Sequence, residues 1–164
     1  MPRMANVFVA GGSNVRPEFY LKRALSLIER EFTPVRVSPV YRNRAVGFEG
    51  DDFLNLVVSF ATDLDVREVR SRLQAIEAQC DRPREAPKWA ARTMDLDILL
   101  YDAVVSDEPG LLLPRPDLIR RAYMLKPMVD LTPDLVHPVL GKTMREIWET
   151  SELKGHELIE TSIS

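Results

Sequence analysis

The 164-residue chain is 45 % hydrophobic and 29 % charged and carries a net charge of −3, the profile of one globular domain, expected over 1–164. That balance excludes a general attraction to nucleic acid, and no apolar stretch reaches the roughly 18 residues of a membrane span. The single cysteine, Cys80, excludes an internal disulfide framework and fits a reducing cytoplasm.

The opening MPRMANVFVAGGSN has too short an apolar run for a signal peptide and reads as a strand that ends in a tight turn at Gly11, Gly12, Ser13 and Asn14. Leu21, Ala24, Leu25 and Ile28 recur at three- and four-residue steps, which predicts a helix over 17–31. VRVSPVY alternates, and its Pro39 implies a sheet edge or a bulge. RNRAVGFEGDD reads as a loop and FLNLVVSFAT as a second strand. Asp65 with Glu68 three residues on has the capping-box pattern, and Val66, Val69, Leu73 and Ile76 form the apolar stripe of a helix reaching about Cys80. DRPREAPKWAA is a loop, and TMDLDILLYD is the next strand. AVVSDEPGLLLPRP gives a short strand and a proline-rich loop. DLIRRAYMLKPMVDL is helical in part before Pro127, TMREIWETSEL is a last helix capped by Thr143, and the final polar residues are expected to be loose. The order through residue 101 is β-α-β-β-α-β. It predicts an α+β, ferredoxin-like core: an antiparallel sheet with both helices on one face, plus a C-terminal extension that, with loops or a ligand, covers the other.

Chemistry concentrates around RTMDLDILLYD. Asp95 and Asp97 point to one face of a strand, roughly 7 Å apart, while Met94, Leu96, Ile98 and Leu100 are expected to point to the helices. Two like charges on a mostly apolar strand need compensation. Mg²⁺ suits the pair, because it takes one or two carboxylates and fills its other positions with phosphate and water. Just upstream lie Arg82, Arg84, Lys88 and Arg92, with Trp89 among them. Arginine forks match phosphate oxygens. Carboxylates beside an arginine loop are the parts expected for phosphoryl transfer, which depends on positioning and charge neutralisation. Gln74 and Glu77 share a helix face that ends at this loop, where they can meet a nucleoside. Phe53 and Asn55 share a strand face, where a ring and an amide can stack on and hydrogen-bond a flat heterocycle. Tyr123 is a second aromatic candidate. Each of these is ordinary taken singly: a helix polar, a core ring, a solvated charge. The GGSN turn is weak as a phosphate loop. Cys80 reads as inert, and His137 and His156 lack the neighbours of a zinc site.

Together GGSN, SPVYRN, DFLNLVVSFAT, LQAIEAQCDRPR, KWAARTMDLDILLYD and LLLPRPDLIRRAYMLKPMVDLTPDLVHP resemble the hydroxymethyl-dihydropterin pyrophosphokinase family of folate biosynthesis, over about residues 5–140. The resemblance implies transfer of diphosphate from ATP to the hydroxymethyl oxygen of a reduced pterin, with release of AMP. It implies that Asp95 and Asp97 hold two Mg²⁺ ions with ATP, and that Arg82 and Arg92 act in catalysis. Gln74, Glu77, Arg84, Trp89, Ile98, Arg115 and Arg121 would bind ATP. Asn43, Val46, Phe53, Asn55 and Tyr123 would bind the pterin. A cytoplasmic monomer with ATP and reduced pterin as its small-molecule partners is expected.

The chain departs from the family at Asp81, where Gly is usual, at Ala90-Ala91 in place of Gly-Pro, and at Arg115 in place of His. The loop after Tyr41 looks one residue short. Losing Gly twice stiffens or re-aims a loop that must close. These departures keep a second reading open, a non-catalytic paralogue that binds nucleotide or pterin. A third, a nucleotidyltransferase with a Gly-Ser turn and D-x-D, fits poorly, because about 80 residues separate Ser13 from Asp95.

Overall fold

The structure is a computed structural model that describes residues 3–44, 52–82 and 93–163. Strand β1 (Ala5–Ser13) leads to α1 (Pro17–Glu31), which has Pro17 at its first position. After β2 (Arg36–Val37) and β3 (Val40–Asn43) come β4 (Phe53–Thr62) and α2 (Val66–Gln79). Strand β5 (Asp95–Tyr101) is followed by the hairpin of β6 (Ser106–Glu108) and β7 (Leu111–Leu113). A 3₁₀ turn (Pro116–Ile119), α3 (Ala122–Leu131), α4 (Met144–Thr150), a second 3₁₀ turn (Leu153–Gly155) and β8 (Ile159–Thr161) complete the chain.

The main sheet is antiparallel in the order β5-β1-β4-β3-β8, with β2 also on β4. Through β5 this is the predicted split βαβ arrangement. One face buries Leu21, Ala24 and Ile28 of α1 and Val69, Leu73 and Ile76 of α2 against Val7, Val9, Leu56 and Met94. Each such buried aliphatic contributes about 1.5–3 kcal/mol. The other face carries Phe8, Ala10, Val57 and Leu99, covered by Leu118, Leu125, Met128, Met144 and Ile147. The C-terminal third is therefore the cover the second face needs.

Five local expectations change. The strand does not stop at the glycines; β1 runs on through Ser13, because Gly12 passes beneath Asn55, where a Cβ would lie 2.7 Å from Oδ1. Leu100 does not face α1 and α2. The β1–β5 register shifts between Phe8 and Val9, so Leu99 and Leu100 both join the second core. Helix α3 runs through Pro127; its buried Leu125, Met128 and Leu131 outweigh the one missing backbone bond. The Asp65 cap forms, accepting from Glu68 N at 2.9 Å, but the Glu68 carboxylate pairs with Arg72 and leaves the box half closed. The final residues are not loose: β8 adds to the outer edge of β3. Thr143 caps α4 in a complete capping box with Glu146, as expected. At Pro39 the ladder is repaired by Ser38, whose Oγ accepts from Val57 N at 2.8 Å.

Candidate active site

Antiparallel pairing sets Asp95 opposite Gly12 and Asp97 opposite Ala10, and Gly12 in turn lies opposite Asn55. Asp95, Asp97, Asn55 and Phe53 thus occupy one sheet face, the face covered further along by the second core. Each carboxylate meets an arginine. Arg82 Nη1 lies 2.7 Å from Asp95 Oδ1 and 2.5 Å from Glu77 Oε2. Glu77 Oε2 also accepts Leu96 N–H at 2.8 Å. Arg115 Nη1 lies 3.6 Å from Asp97 Oδ1. Its Nε is buried without a hydrogen bond, although it makes an ion pair with Asp117 Oδ2 at 3.4 Å.

These contacts set the charge states. Burial, then repulsion from Asp95, pushes the Asp97 carboxyl up to about 7. Burial raises Glu77 too, against the pull of Leu96 N–H and Arg82. Burial works against a charged Arg82, but Asp95 and Glu77 outweigh it and hold the guanidinium protonated. Neighbouring arginines thus compensate Asp97 only partly, which is the condition in which a metal cation is welcome. Among the described residues no group of three or more His, Cys, Asp or Glu could hold a metal. A two-carboxylate donor set fits Mg²⁺ that keeps waters and phosphate oxygens.

Arg82 is aimed by the end of α2. Arg82 N bonds Glu77 O at 3.2 Å and Asp81 N bonds Ala78 O at 3.1 Å, the two bonds of a Schellman motif. Its left-handed position, usually Gly, is held by Asp81 at φ 61°, and the Asp81 carboxylate accepts Tyr20 O–H at 2.8 Å.

Two cavities gather expected residues, the first of them around the aspartates. One, of about 260 Å³, brings together seven of the expected residues: Gln74, Glu77, Arg82, Asp95, Asp97, Ile98 and Arg115. Its wall includes Leu111 and Leu113 of the β6–β7 hairpin, a segment whose sequence shows only a short strand and a proline-rich loop. The other, of about 480 Å³, is lined by Asn43, Arg121 and Tyr123 together with Arg42 and His156. Arg121 therefore stands on the Tyr123 side and not among the residues of the first cavity. Asn55 Nδ2 donates to Asn43 Oδ1, and Phe53 pairs with Asn43 across β3 and β4. Tyr123 is raised by burial, and the charges of Asp97 and Asp95 reach it. Arg84, Trp89, Arg92 and Val46 lie outside the described residues. Cys80 is fully buried with its thiol pushed up to about 11 by burial, and His137 accepts two backbone N–H bonds at Nδ1. Both are structural.

The family model described as 7,8-dihydro-6-hydroxymethylpterin-pyrophosphokinase (HPPK) matches residues 8–133. The chain belongs to this family. It is 33 % identical over 153 residues to the 2-amino-4-hydroxy-6-hydroxymethyldihydropteridine pyrophosphokinase of Aquifex aeolicus, covering 92 % of this chain and 95 % of that one. Against the Pseudomonas aeruginosa protein of the same name the identity is 37 % over 155 residues, covering 92 % and 94 %. Its fold is similar to Plasmodium falciparum HPPK-DHPS crystallised with pterin and p-hydroxybenzoate, with a TM-score of 0.73 at 15 % identity over 91 % of this chain. This chain spans only 43 % of that longer one. Among the described residues no helix is long and apolar enough to cross a membrane.

Proposed function

We propose that this HPPK-family chain transfers diphosphate from ATP to the hydroxymethyl oxygen of 6-hydroxymethyl-7,8-dihydropterin, releasing AMP in folate biosynthesis. The observation that carries the reading is the convergence of Asp95, Asp97, Arg82, Arg115, Gln74 and Glu77 on one cavity, with Asn43 and Tyr123 on a second, where the charges of both aspartates reach Tyr123. Asp95 and Asp97 would hold two Mg²⁺ ions, which supply charge neutralisation on the phosphates when bound. Arg82 and Arg115, already beside those carboxylates, are in reach to turn their N–H groups to phosphate oxygens. Gln74 and Ile98 line the same cavity, where they would meet the nucleoside. Asn55 and Asn43 present a joined pair of amides to a flat heterocycle, with Phe53 and Tyr123 as the stacking rings. Arg121, at the start of α3, lines the second cavity and would bind ATP phosphate from there. Arg92 would act in catalysis, Arg84 and Trp89 would bind ATP, and Val46 would bind the pterin.

The chain is proposed to act as a single domain over 1–164 and as a monomer, and its one buried cysteine suits the cytoplasm. Nothing in the site favours a non-catalytic binder. ³¹P NMR of the protein with ATP, Mg²⁺ and the pterin tests the reading. Equimolar AMP and pterin diphosphate are expected. ADP or free pyrophosphate as the product, or no turnover by folded protein, would refute it.

A further inference from the structure

Helix α2 presents Arg70, Leu73, Gln74 and Glu77 to the aspartate cavity, one stripe at i, i+3, i+4 and i+7. Glu77 marks the charged end, beside Arg82 and Asp95. Arg70 is two turns away, about 10 Å along the helix. At that end the walls are apolar, Leu73 and Leu111, and the hairpin turns through Gly110 at φ 81°. A Cβ on Gly110 would lie 3.1, 3.2 and 3.3 Å from Nη2, Cζ and Nη1 of Arg70. Near-equal distances to these three atoms put that point over the face of the guanidinium, not at its edge. The absent side chain is what lets the planar group lie on the hairpin backbone. Among the described residues no carboxylate is paired with Arg70, whereas its neighbour Arg67 pairs with Glu108.

We infer that Arg70 is a nucleobase-binding residue: its guanidinium, laid against Gly110, roofs the apolar end of the cavity and stacks on the base of the nucleoside triphosphate. The inference rests on the functional reading above, which puts the phosphates at the aspartates and so leaves the base at this end. A flat cation over an aromatic ring is attracted by the ring's quadrupole, and arginine does this better than lysine because it is planar and weakly hydrated. Arg70 would therefore set nucleotide affinity without taking part in the transfer.

The test is calorimetric titration of the full chain with α,β-methylene-ATP and Mg²⁺, and separately with inorganic tripolyphosphate and Mg²⁺. Arg70→Ala should weaken nucleotide binding roughly 5- to 30-fold and leave tripolyphosphate binding and kcat at saturating ATP unchanged. Gly110→Ala, which displaces the guanidinium without removing it, should weaken the nucleotide selectively as well. Arg70→Lys should recover only a minor part of the loss. Equal affinity of wild type and Arg70→Ala for the nucleotide would overturn the inference. So would a parallel loss of tripolyphosphate binding, or full rescue by lysine, since either would make Arg70 a simple charge. If the wild type binds neither probe, the functional reading itself falls and takes this inference with it.

Discussion

Replacing Asp97 by asparagine should make the metal-free protein more stable at pH 8 while disabling it as an enzyme. The Asp97 side chain is only 21 % exposed and, among the described residues, its one ion pair is a loose one with Arg115 at 3.6 Å. Its carboxyl titrates at about 7 in the fold against an ordinary 3.8. Holding it ionised above that pH costs up to about 4 kcal/mol. Repulsion from Asp95 alone, at roughly 7 Å and an effective dielectric constant of about 20, accounts for about 2 kcal/mol. The folded value lies above the unfolded one. The contribution is therefore fully present below pH about 4 and lost as pH rises through about 7. The value of about 7 already contains the attraction to Arg115; relaxation and water around the partly exposed side chain reduce the cost that asparagine removes, leaving a net gain of about 2 kcal/mol at pH 8. For a chain of this size that is roughly 4–8 °C in Tm. Calorimetric melts in a chelating buffer at pH 5 and pH 8 read it directly. The gap between variant and wild type should open at pH 8 and shrink at pH 5. Turnover should fall about 100-fold or more with the lost metal ligand. A variant that melts at or below the wild-type temperature at pH 8 would refute the claim that Asp97 is under-compensated in the fold.

Gly12→Ala places a Cβ 2.7 Å from Asn55 Oδ1 and must displace that amide; the pterin KM should rise roughly tenfold, about the worth of one hydrogen bond, with the ATP KM unmoved. Asp81→Ala keeps a side chain at a left-handed φ and loses the Tyr20 bond, so denaturant melts should show a loss of about 1–2 kcal/mol, whereas Asp81→Gly should stay near wild type. Equal losses in both would mean that the positive φ costs nothing there. Cys80, fully buried with a raised pKa, should resist iodoacetamide at pH 8 in native protein and react on unfolding; rapid native labelling would contradict its structural role.

The two aspartates were legible in the sequence because strand alternation is a local property: in D-x-D both carboxylates share a face whatever the rest of the sheet does. Helices α1 and α2 were legible for a similar reason, since periodicity and capping are read within one segment. Leu100 was not, because the register shift that turns it depends on how β1 pairs with β5. Strand β8 was not, because the polar Ile159–Thr161 segment becomes a strand only against the edge that β3 offers. Helix α3 was mis-stopped at Pro127 because the packing of Met128 and Leu131 lies outside what a breaker residue reports. Of the site, the roles of Arg115 toward Asp97 and of Arg70 toward Gly110 come from tertiary proximity. The only local signal for Arg115 was its place beside Pro114 in the family-like segment, and for Arg70 a helical spacing of four from Gln74.

The central claim is that Asp95 and Asp97 hold a metal-bound triphosphate between a nucleoside cavity and a pterin cavity. A crystal structure with α,β-methylene-ATP, Mg²⁺ and the pterin tests it most directly. The account predicts metal on both aspartates, Arg82 and Arg115 turned from those carboxylates to phosphate, and the pterin beside Asn55. A nucleotide bound elsewhere, with Arg82 still on Asp95 and Arg115 still on Asp97, would contradict it.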